Sequence, residues 1–185
     1  MKIFENENWE NLSLNNEVVQ YGYYYPYRNP DGTVNPNFYK DRISGYILDV
    51  KEKKENALNY FYNVLNLEIC KNVTICVVPS HKASLSNQSG ISILARRLAS
   101  DERVDKVDYL LRSKTIDKLA LGGDREVSIH LESISPNKEM SISGDVVLLV
   151  DDVTTSGASL KACKEILLKN GAERVAMLAL GKSIR

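Results

Sequence analysis

Several features that define large classes of protein are missing from this sequence. Neither charge is in excess, since 24 Lys+Arg residues balance 24 Asp+Glu, so no global field draws the chain to nucleic acid or to a membrane surface. No apolar run approaches the ~20 residues of a membrane helix, and the N-terminus lacks the apolar stretch of a secretory signal. These absences argue against direct nucleic-acid binding and against membrane insertion.

Cysteine is also scarce. The cysteines are Cys70, Cys76 and Cys163, an odd number without the spacing of a metal site. Cys76 and Cys163 lie in apolar patterns, which predicts inert core thiols rather than nucleophiles. This usage gives no reason to expect a disulfide framework or a protein-bound metal, and it favours a reducing, cytoplasmic compartment.

What remains is the pattern of one α/β domain. A length of 185 residues suits a single domain with a sizeable core. Strand-like and helix-like patterns alternate over residues 46–185, which predicts a doubly wound parallel sheet. Strands are predicted at 45–50, 73–78, 107–111, 146–150 and 174–180, and helices at 53–67, at 90–99 and from Leu160 toward Gly171.

Residues 1–45 are predicted to form a small N-terminal cap of β or irregular structure. The stretch 18–27 is rich in tyrosine, and Asn29–Pro30–Asp31–Gly32 is a strong turn signal, so a hairpin is expected there. Its tyrosines either stack on a nucleobase or fill a partly buried edge hairpin. The second alternative is favoured, because tyrosine commonly fills such positions.

The most informative stretch is 146–160. Five apolar residues, 146–150, predict a strand that is buried on both faces, and Asp151 and Asp152 follow it. A turn rich in threonine, serine and glycine then leads into helical spacing from Leu160. The order is strand, two carboxylates, polar turn and helix.

That turn has the chemistry of a site for a phosphorylated sugar. A helix N-terminus offers unpaired N–H groups and a partial positive charge to a phosphate, and Gly157 allows close backbone approach. Asp151 and Asp152 suit the vicinal hydroxyls of a sugar, because carboxylates accept hydrogen bonds from them. The alternative is an ordinary strand-to-helix turn with Ser156 as the helix cap.

This run resembles the phosphoribosyl pyrophosphate (PRPP) signature of type I phosphoribosyltransferases. The resemblance implies that Asp151 and Asp152 bind the ribose 2′- and 3′-hydroxyls. It also implies that a loop holds the 5′-phosphate, and that loop comprises Val153, Thr154, Thr155, Ser156, Gly157, Ala158 and Ser159. The expected fold is that of the family, with its ligand crevice at the carboxyl ends of the strands.

A second loop, Ser80-His81-Lys82, follows the strand predicted at 73–78. Its donors and positive charge suit a pyrophosphate, and the family has an anion-binding loop at the corresponding place. The alternative is a solvated loop without a ligand. In the family a mobile loop also lies between the pyrophosphate strand and the PRPP strand, and residues 112–130 occupy that interval.

Three basic residues in this interval are candidates for contact with the leaving group. Arg112 and Arg125 carry guanidinium groups suited to phosphate oxygens, although exposed loop charges are the alternative for both. His130 is interpreted as structural in preference to a pyrophosphate donor. Leu111, Arg112, Leu119, Arg125 and His130 together resemble the ComF-like branch of the family, although its Arg-Gly-Phe-Asn-Gln run is replaced here by 86–90.

The resemblance implies transfer of a phosphoribosyl group from PRPP to a nucleobase-like acceptor, with release of pyrophosphate. Mg²⁺ would reach the site through PRPP. The residues expected to act on the reacting groups are Asp151, Asp152, Arg112 and Lys82, and the family commonly forms homodimers. The competing hypothesis is a PRPP- or nucleotide-binding regulator or accessory protein on the same fold, without catalysis.

Overall fold

A computed structural model describes residues 17–100, 102–116 and 124–184, with the side chains of 124–126 excepted. The strands are β1 (Val18–Tyr24), β2 (Thr74–Val77), β3 (Val104–Asp105), β4 (Leu110–Arg112), β5 (Ile134–Pro136), β6 (Val146–Thr154) and β7 (Arg174–Ser183). The helices are α1 (Arg42–Lys51), α2 (Glu55–Glu68), α3 (Gly90–Ala99), α4 (Asp124–Ser133) and α5 (Ala158–Lys169), and a 3-10 helix spans Pro36–Lys40.

The centre of the fold is a five-stranded parallel sheet in the order β1-β7-β6-β2-β3. Helices α1, α2 and α3 pack against one face, and α5 packs against the other. Strands β4 and β5 form a separate antiparallel pair. The α/β class and the parallel sheet predicted from the sequence are confirmed.

Strand β6 lies inside the sheet, between β7 and β2. Leu148 and Val150 belong to the core cluster under α2 and α3, whereas Val147 and Leu149 belong to the cluster under α5. Successive side chains of a strand point to opposite faces, so a strand covered on both sides must be apolar throughout. This is why the run at 146–150 has no polar residue.

The strand predicted at 45–50 is wrong, because these residues belong to helix α1. The Asp41 side chain accepts a hydrogen bond from the Ile43 N–H at 3.0 Å and caps the helix. Ile43, Ile47 and Val50 then recur at helical spacing and face the core. The β-prone composition was misleading, because the capping residue and the spacing together favour a helix.

The strand predicted at 107–111 is also wrong in its extent. Regular pairing begins only at Leu110, and residues 107–109 form a turn. The buried Asn87 amide donates to the carbonyls of Val107 at 2.7 Å and Leu110 at 2.9 Å. A side chain thus satisfies carbonyls that a longer strand would have paired.

The N-terminal segment contributes a strand to the sheet. Strand β1 pairs in parallel with β7 and forms one edge. The turn signal at 29–32 does form a tight turn, closed by a bridge between Arg28 and Val34. The predicted hairpin is therefore limited to the turn at 29–32. The tyrosine-rich stretch before it forms β1, which joins the main sheet.

Several tyrosines pack on one another beside this edge. The rings of Tyr46 and Tyr60 are stacked with centroids 4.3 Å apart, and the hydroxyls of Tyr21 and Tyr60 lie 3.0 Å apart. These rings also pack against the core. Tyr21, Tyr46 and Tyr60 therefore have a packing role, whereas Tyr23 and Tyr39 are largely exposed.

Candidate functional site

The two segments that sequence patterns assign to a phosphorylated ligand lie at the same edge of the sheet. Strands β2 and β6 are parallel neighbours, with Val77 paired to Val150, and the Val78 N–H donates to the Val150 carbonyl at 3.0 Å. The Ser80 loop, which follows β2, therefore leaves the sheet beside the part of β6 that contains Asp151. The topology produces the polar edge at which parallel sheets bind ligands.

Strand β6 continues through Thr154, so Asp151 and Asp152 lie within the strand rather than after it. The side chain of Asp151 faces α5, where the Ser159 hydroxyl donates to it at 3.5 Å. Asp152 faces α1, and its Oδ1 lies 3.0 Å from the Lys51 Nζ. The two carboxylates thus point to opposite faces of the strand, as the pleat requires.

Lys51 was not foreseen from the sequence. It ends helix α1, and its ammonium group also lies 5.7 Å from the Tyr24 ring centroid. The side chain of Asp152 retains 24% of its exposure, so the ion pair is open to solvent on one side. No sequence pattern near residue 51 indicates this pairing, because it depends on how α1 packs against β6.

The carboxyl of Asp151 is in an unfavourable environment for a charge. Desolvation by the surrounding protein, followed by the neighbouring Asp152 carboxylate, raises the pKa of Asp151 to about 8. Lys51 and the hydrogen bonds from Ser159 and the Asp152 backbone oppose this shift but do not cancel it. Asp151 therefore keeps its proton to a higher pH than an ordinary carboxyl group does.

Asp151→Asn is expected to stabilise the protein at alkaline pH and to leave its stability nearly unchanged at acidic pH. In the folded state Asp151 keeps its proton up to about pH 8, whereas in the unfolded state it loses it near its ordinary pKa of about 3.9. Between the unfolded-state and the folded-state pKa of Asp151, the folded protein binds more protons than the unfolded chain. The free energy of unfolding of the wild type therefore falls as the pH rises from the lower pKa to the higher one. The asparagine removes that loss, which at about 1.4 kcal/mol for each unit between the two pKa values amounts to roughly 5 kcal/mol at high pH.

Urea unfolding of both proteins at about pH 5 and about pH 8.5 measures this difference, because other titrating groups cancel between them. The gain of the variant should be several times larger at the higher pH. A difference that is the same at both pH values would contradict the raised pKa.

The turn after β6 is open to solvent and begins a helix without a side-chain cap. Thr155 and Ser156 are exposed, and Gly157 has a φ of 80°, in the left-handed region that favours glycine. The Ser156 hydroxyl lies 3.4 Å from the Ala158 N–H, and no side chain caps the helix at Gly157. Ser156 is therefore not the conventional cap that the alternative interpretation requires.

Thr154 closes the strand with an unusual hydroxyl. The residue is 6% exposed, and its Oγ1 has no hydrogen-bond partner in the described part of the chain. A buried unpaired hydroxyl costs about 1–3 kcal/mol, so such a group is rare without a function. Val153 and Ser159 are partly buried, and Ala158 is buried at the start of α5.

Arg112 lies beneath the Ser80-His81-Lys82 loop and is 3% exposed. Its Nε donates to the Ser80 carbonyl at 2.9 Å, and Nη2 lies 3.3 Å from the Pro79 carbonyl. Nη1 donates to the Ser133 hydroxyl at 2.6 Å, and both Nη atoms lie 3.3 Å from the His130 Nδ1. The guanidinium therefore supports the loop from within, rather than projecting from an exposed loop.

The backbone of the Ser80 loop is tied to the same segment. The Ser84 N–H donates to the Arg112 carbonyl at 3.1 Å, and the Ala83 N–H donates to the Thr115 hydroxyl at 3.0 Å. The Ile116 N–H donates to the His81 carbonyl at 3.0 Å. Lys82 is exposed at the tip of this supported loop. Residues 112–116 thus hold the loop beside the carboxylates.

The remaining predicted residues have varied positions. His130 lies in α4 against Arg112, in keeping with the structural role favoured for it. Arg125 is in α4, but its side chain is outside the described side chains, and Leu119 is outside the described residues. Cys76 and Cys163 are buried, and burial raises the pKa of both thiols.

Among the residues that the structure describes, no group of three or more metal-ligating side chains is arranged to hold a metal ion. Within the same residues, none of the helices has the length and apolar character needed to cross a bilayer.

Residues 91–182 match the family model described as a phosphoribosyl transferase domain. The match begins in α3 and ends in β7, so it includes Asp151, Asp152 and the turn after them. A comparison with curated proteins gave no match.

Among solved structures, the chain is similar to a hypoxanthine phosphoribosyltransferase from Staphylococcus aureus, with 16% identity, coverage of 75% of this chain and 74% of that chain, and a TM-score of 0.41. A purine phosphoribosyltransferase from Pyrococcus horikoshii Ot3 has 17% identity, coverage of 77% and 81%, and a TM-score of 0.33. A phosphoribosylpyrophosphate synthetase from Mycobacterium smegmatis has 12% identity, coverage of 94% and 59%, and a TM-score of 0.44.

Proposed function

The match of residues 91–182 supports membership of the type I phosphoribosyltransferase family, and from that premise we propose that this chain binds PRPP and transfers its phosphoribosyl group to a nitrogenous acceptor. The proposal rests on the observation that Asp151, Asp152 and the N-terminus of α5, which has no side-chain cap, all lie at one end of strand β6. Asp152 is partly exposed, and the turn at 155–156 is open to solvent. This arrangement suits a pentose that carries a phosphate at its other end.

In the proposed complex, Asp152 accepts hydrogen bonds from the ribose hydroxyls. Asp151 is protonated near neutral pH and contributes a donor as well as an acceptor. The backbone N–H groups of 154–159 hold the 5′-phosphate. Rigid attachment at both ends of the sugar fixes the anomeric carbon between the carboxylates and the Ser80-His81-Lys82 loop, which lowers the entropic barrier to reaction.

The reaction is a displacement at the anomeric carbon. An acceptor nitrogen forms the new bond to that carbon as the bond to the pyrophosphate oxygen breaks, and the pyrophosphate leaves with the electron pair. Charge then grows on the leaving group, which the exposed Lys82 and the loop N–H groups are positioned to stabilise. Arg112 acts indirectly, by holding the carbonyls of Pro79 and Ser80.

Mg²⁺ is proposed to enter with PRPP, bound mainly by its diphosphate oxygens. Carboxylate oxygens suit this ion, and the partly exposed Asp152 leaves one side open to solvent. When bound, Mg²⁺ would offset the negative charge of the diphosphate. We also propose that the acceptor is a nucleobase-like molecule and that the protein forms a homodimer. A cytoplasmic location and membership of the ComF-like branch are part of the same proposal.

The experiment that tests the proposal measures pyrophosphate release from PRPP with Mg²⁺ and a panel of nucleobases. Release that depends on one base supports the transferase. Tight PRPP binding without turnover supports the second candidate, a PRPP-binding regulator. Absence of PRPP binding would refute both.

Asp152→Asn is expected to weaken PRPP binding by about 1–3 kcal/mol, because a charged acceptor for the ribose hydroxyls is lost. Isothermal titration calorimetry of PRPP in the presence of Mg²⁺ measures the change. Asp49→Asn is the control, because Asp49 lies on α1 and its carboxylate pairs with Lys54 at 2.7 Å, away from the strand end. Equal affinities of the wild type and Asp152→Asn would exclude Asp152 from the sugar site.

A further inference from the structure

Helix α5 begins at Gly157 without a side-chain cap, and its first N–H group, that of Ala158, makes only a long contact with the Ser156 hydroxyl at 3.4 Å. Gly157 adopts a left-handed conformation, and no side chain caps the helix there. No acidic residue lies in the first turn to balance the positive end of the helix dipole. A helix start of this kind can bind an anion through its N–H groups and its dipole.

Thr154 is an independent indication of a ligand at this place. A methyl group built on Gly157 would lie 3.9 Å from the Thr154 Oγ1, so this hydroxyl is directed at the helix start. The hydroxyl is buried and has no partner among the described residues. An oxygen atom of a bound anion at this point would accept its hydrogen bond and remove the cost of burying it.

Lys161 brings a positive charge to the same point. It is the fourth residue of α5, and its Cε would lie 3.9 Å from the same methyl group on Gly157. The exposed side chain therefore folds back toward the N-terminal end of its own helix, as long helical side chains do. Among the described residues it forms no ion pair.

This position is electrostatically unfavourable in the absence of an anion. A cation near a helix N-terminus opposes the dipole, whereas one near the C-terminus is stabilised by it. Lys169 illustrates the favourable case, since it lies in the last turn of α5 and pairs with Glu165. Local rules that a sequence breaks commonly mark functional positions.

Taking the proposed function as its basis, we infer that Lys161 is a specificity-determining residue that contacts the 5′-phosphate and selects phosphorylated over unphosphorylated pentoses. The Lys161 Cε and the Thr154 Oγ1 both lie 3.9 Å from the position of a methyl group on Gly157, so the two side chains meet at the same point. The backbone N–H groups of α5 supply the remaining donors. A sugar without the phosphate gains nothing from Lys161.

The test titrates ribose 5-phosphate into the wild type, Lys161→Met, Lys161→Arg and Lys169→Met. Lys161→Met is expected to bind about tenfold more weakly, because one charge-assisted contact is lost. Lys161→Arg should retain most of the affinity, and Lys169→Met should bind like the wild type. Affinity should also depend less steeply on salt in Lys161→Met, because one cation fewer faces the phosphate.

The possible results separate the role of Lys161 from the proposed function. A wild type that binds ribose 5-phosphate, together with a Lys161→Met variant that binds within twofold of it, overturns the role of Lys161 and leaves the proposed function intact. A wild type that does not bind the sugar phosphate also overturns the role of Lys161, whereas the proposed function is decided separately by PRPP binding and pyrophosphate release. Thermal unfolding of the ligand-free Lys161→Met variant should match or slightly exceed the wild type, because the side chain is exposed and its charge opposes the helix dipole. A folded variant with weakened binding and a reduced salt dependence supports the inference.

Discussion

Replacing Gly90 with alanine is expected to lower the free energy of unfolding by about 3–4 kcal/mol, at the upper end of what overpacking costs. Gly90 begins α3 against the end of α1, and a methyl group on it would lie only 1.7 Å from the Val50 carbonyl oxygen. Backbone atoms are on both sides of the contact, so no side-chain rotation relieves it. Helix α1 or α3 must move.

Urea unfolding measures the loss, and Gly45→Ala is the matched control. Gly45 lies within α1, and nothing stands within 4 Å of a methyl group built on it. The control should therefore be stabilised by about 0.5–1 kcal/mol, as expected when alanine replaces glycine in a helix. A Gly90→Ala protein within 1 kcal/mol of the wild type would mean that the two helices are not so closely apposed.

The displacement should also reach the ligand site. Val50 is followed by Lys51, which pairs with Asp152. Any part of the Gly90→Ala population that remains folded is therefore expected to bind PRPP more weakly.

Arg112→Met is expected to cost about 3 kcal/mol of stability and to loosen the Ser80-His81-Lys82 loop. The guanidinium is buried, and it donates to two backbone carbonyls and to the Ser133 hydroxyl. Methionine fills much of the volume but satisfies none of these acceptors, and each buried acceptor left unpaired is penalised. Hydrogen exchange of the Ser84 and Ala83 amides should become faster.

Arg96→Met is the control for Arg112→Met. Arg96 also bonds a backbone carbonyl and a carboxylate, at Asn87 and Asp108, but its side chain is 35% exposed. Water can replace its contacts, so a loss of about 1 kcal/mol is expected. If the two variants lose the same stability, or if exchange at Ser84 is unchanged, Arg112 does not support the loop.

The elements predicted best from the sequence are those in which local preference and burial agree. Strand β6 and helix α3 are examples, because continuous apolar residues and an unbroken helical period each allow one solution. Helix α1 shows the opposite case. Its tyrosine, isoleucine and valine residues are β-prone, and the decision rests on the Asp41 cap and on the helical partners of Ile47.

The candidate site likewise contains some residues that local sequence patterns predict and others that they do not. Asp151, Asp152 and the turn after them could be predicted as one site from the sequence because they are adjacent in the chain. Lys51 and Arg112 acquire their roles from tertiary contacts with Asp152 and Ser80, which no local pattern encodes. The unpaired hydroxyl of Thr154 was equally invisible, because only packing determines whether a threonine keeps a partner.

The opposite orientation of the two neighbouring aspartates has a mechanical consequence. One carboxylate belongs to the layer of α1 and the other to the layer of α5. A sugar that binds both carboxylates would link the two helical layers at the end of the strand. Without the ligand, these layers contact each other only through the sheet. Occupancy would then slow the opening of both layers together, because a ligand that binds only the intact arrangement stabilises every part that the arrangement requires.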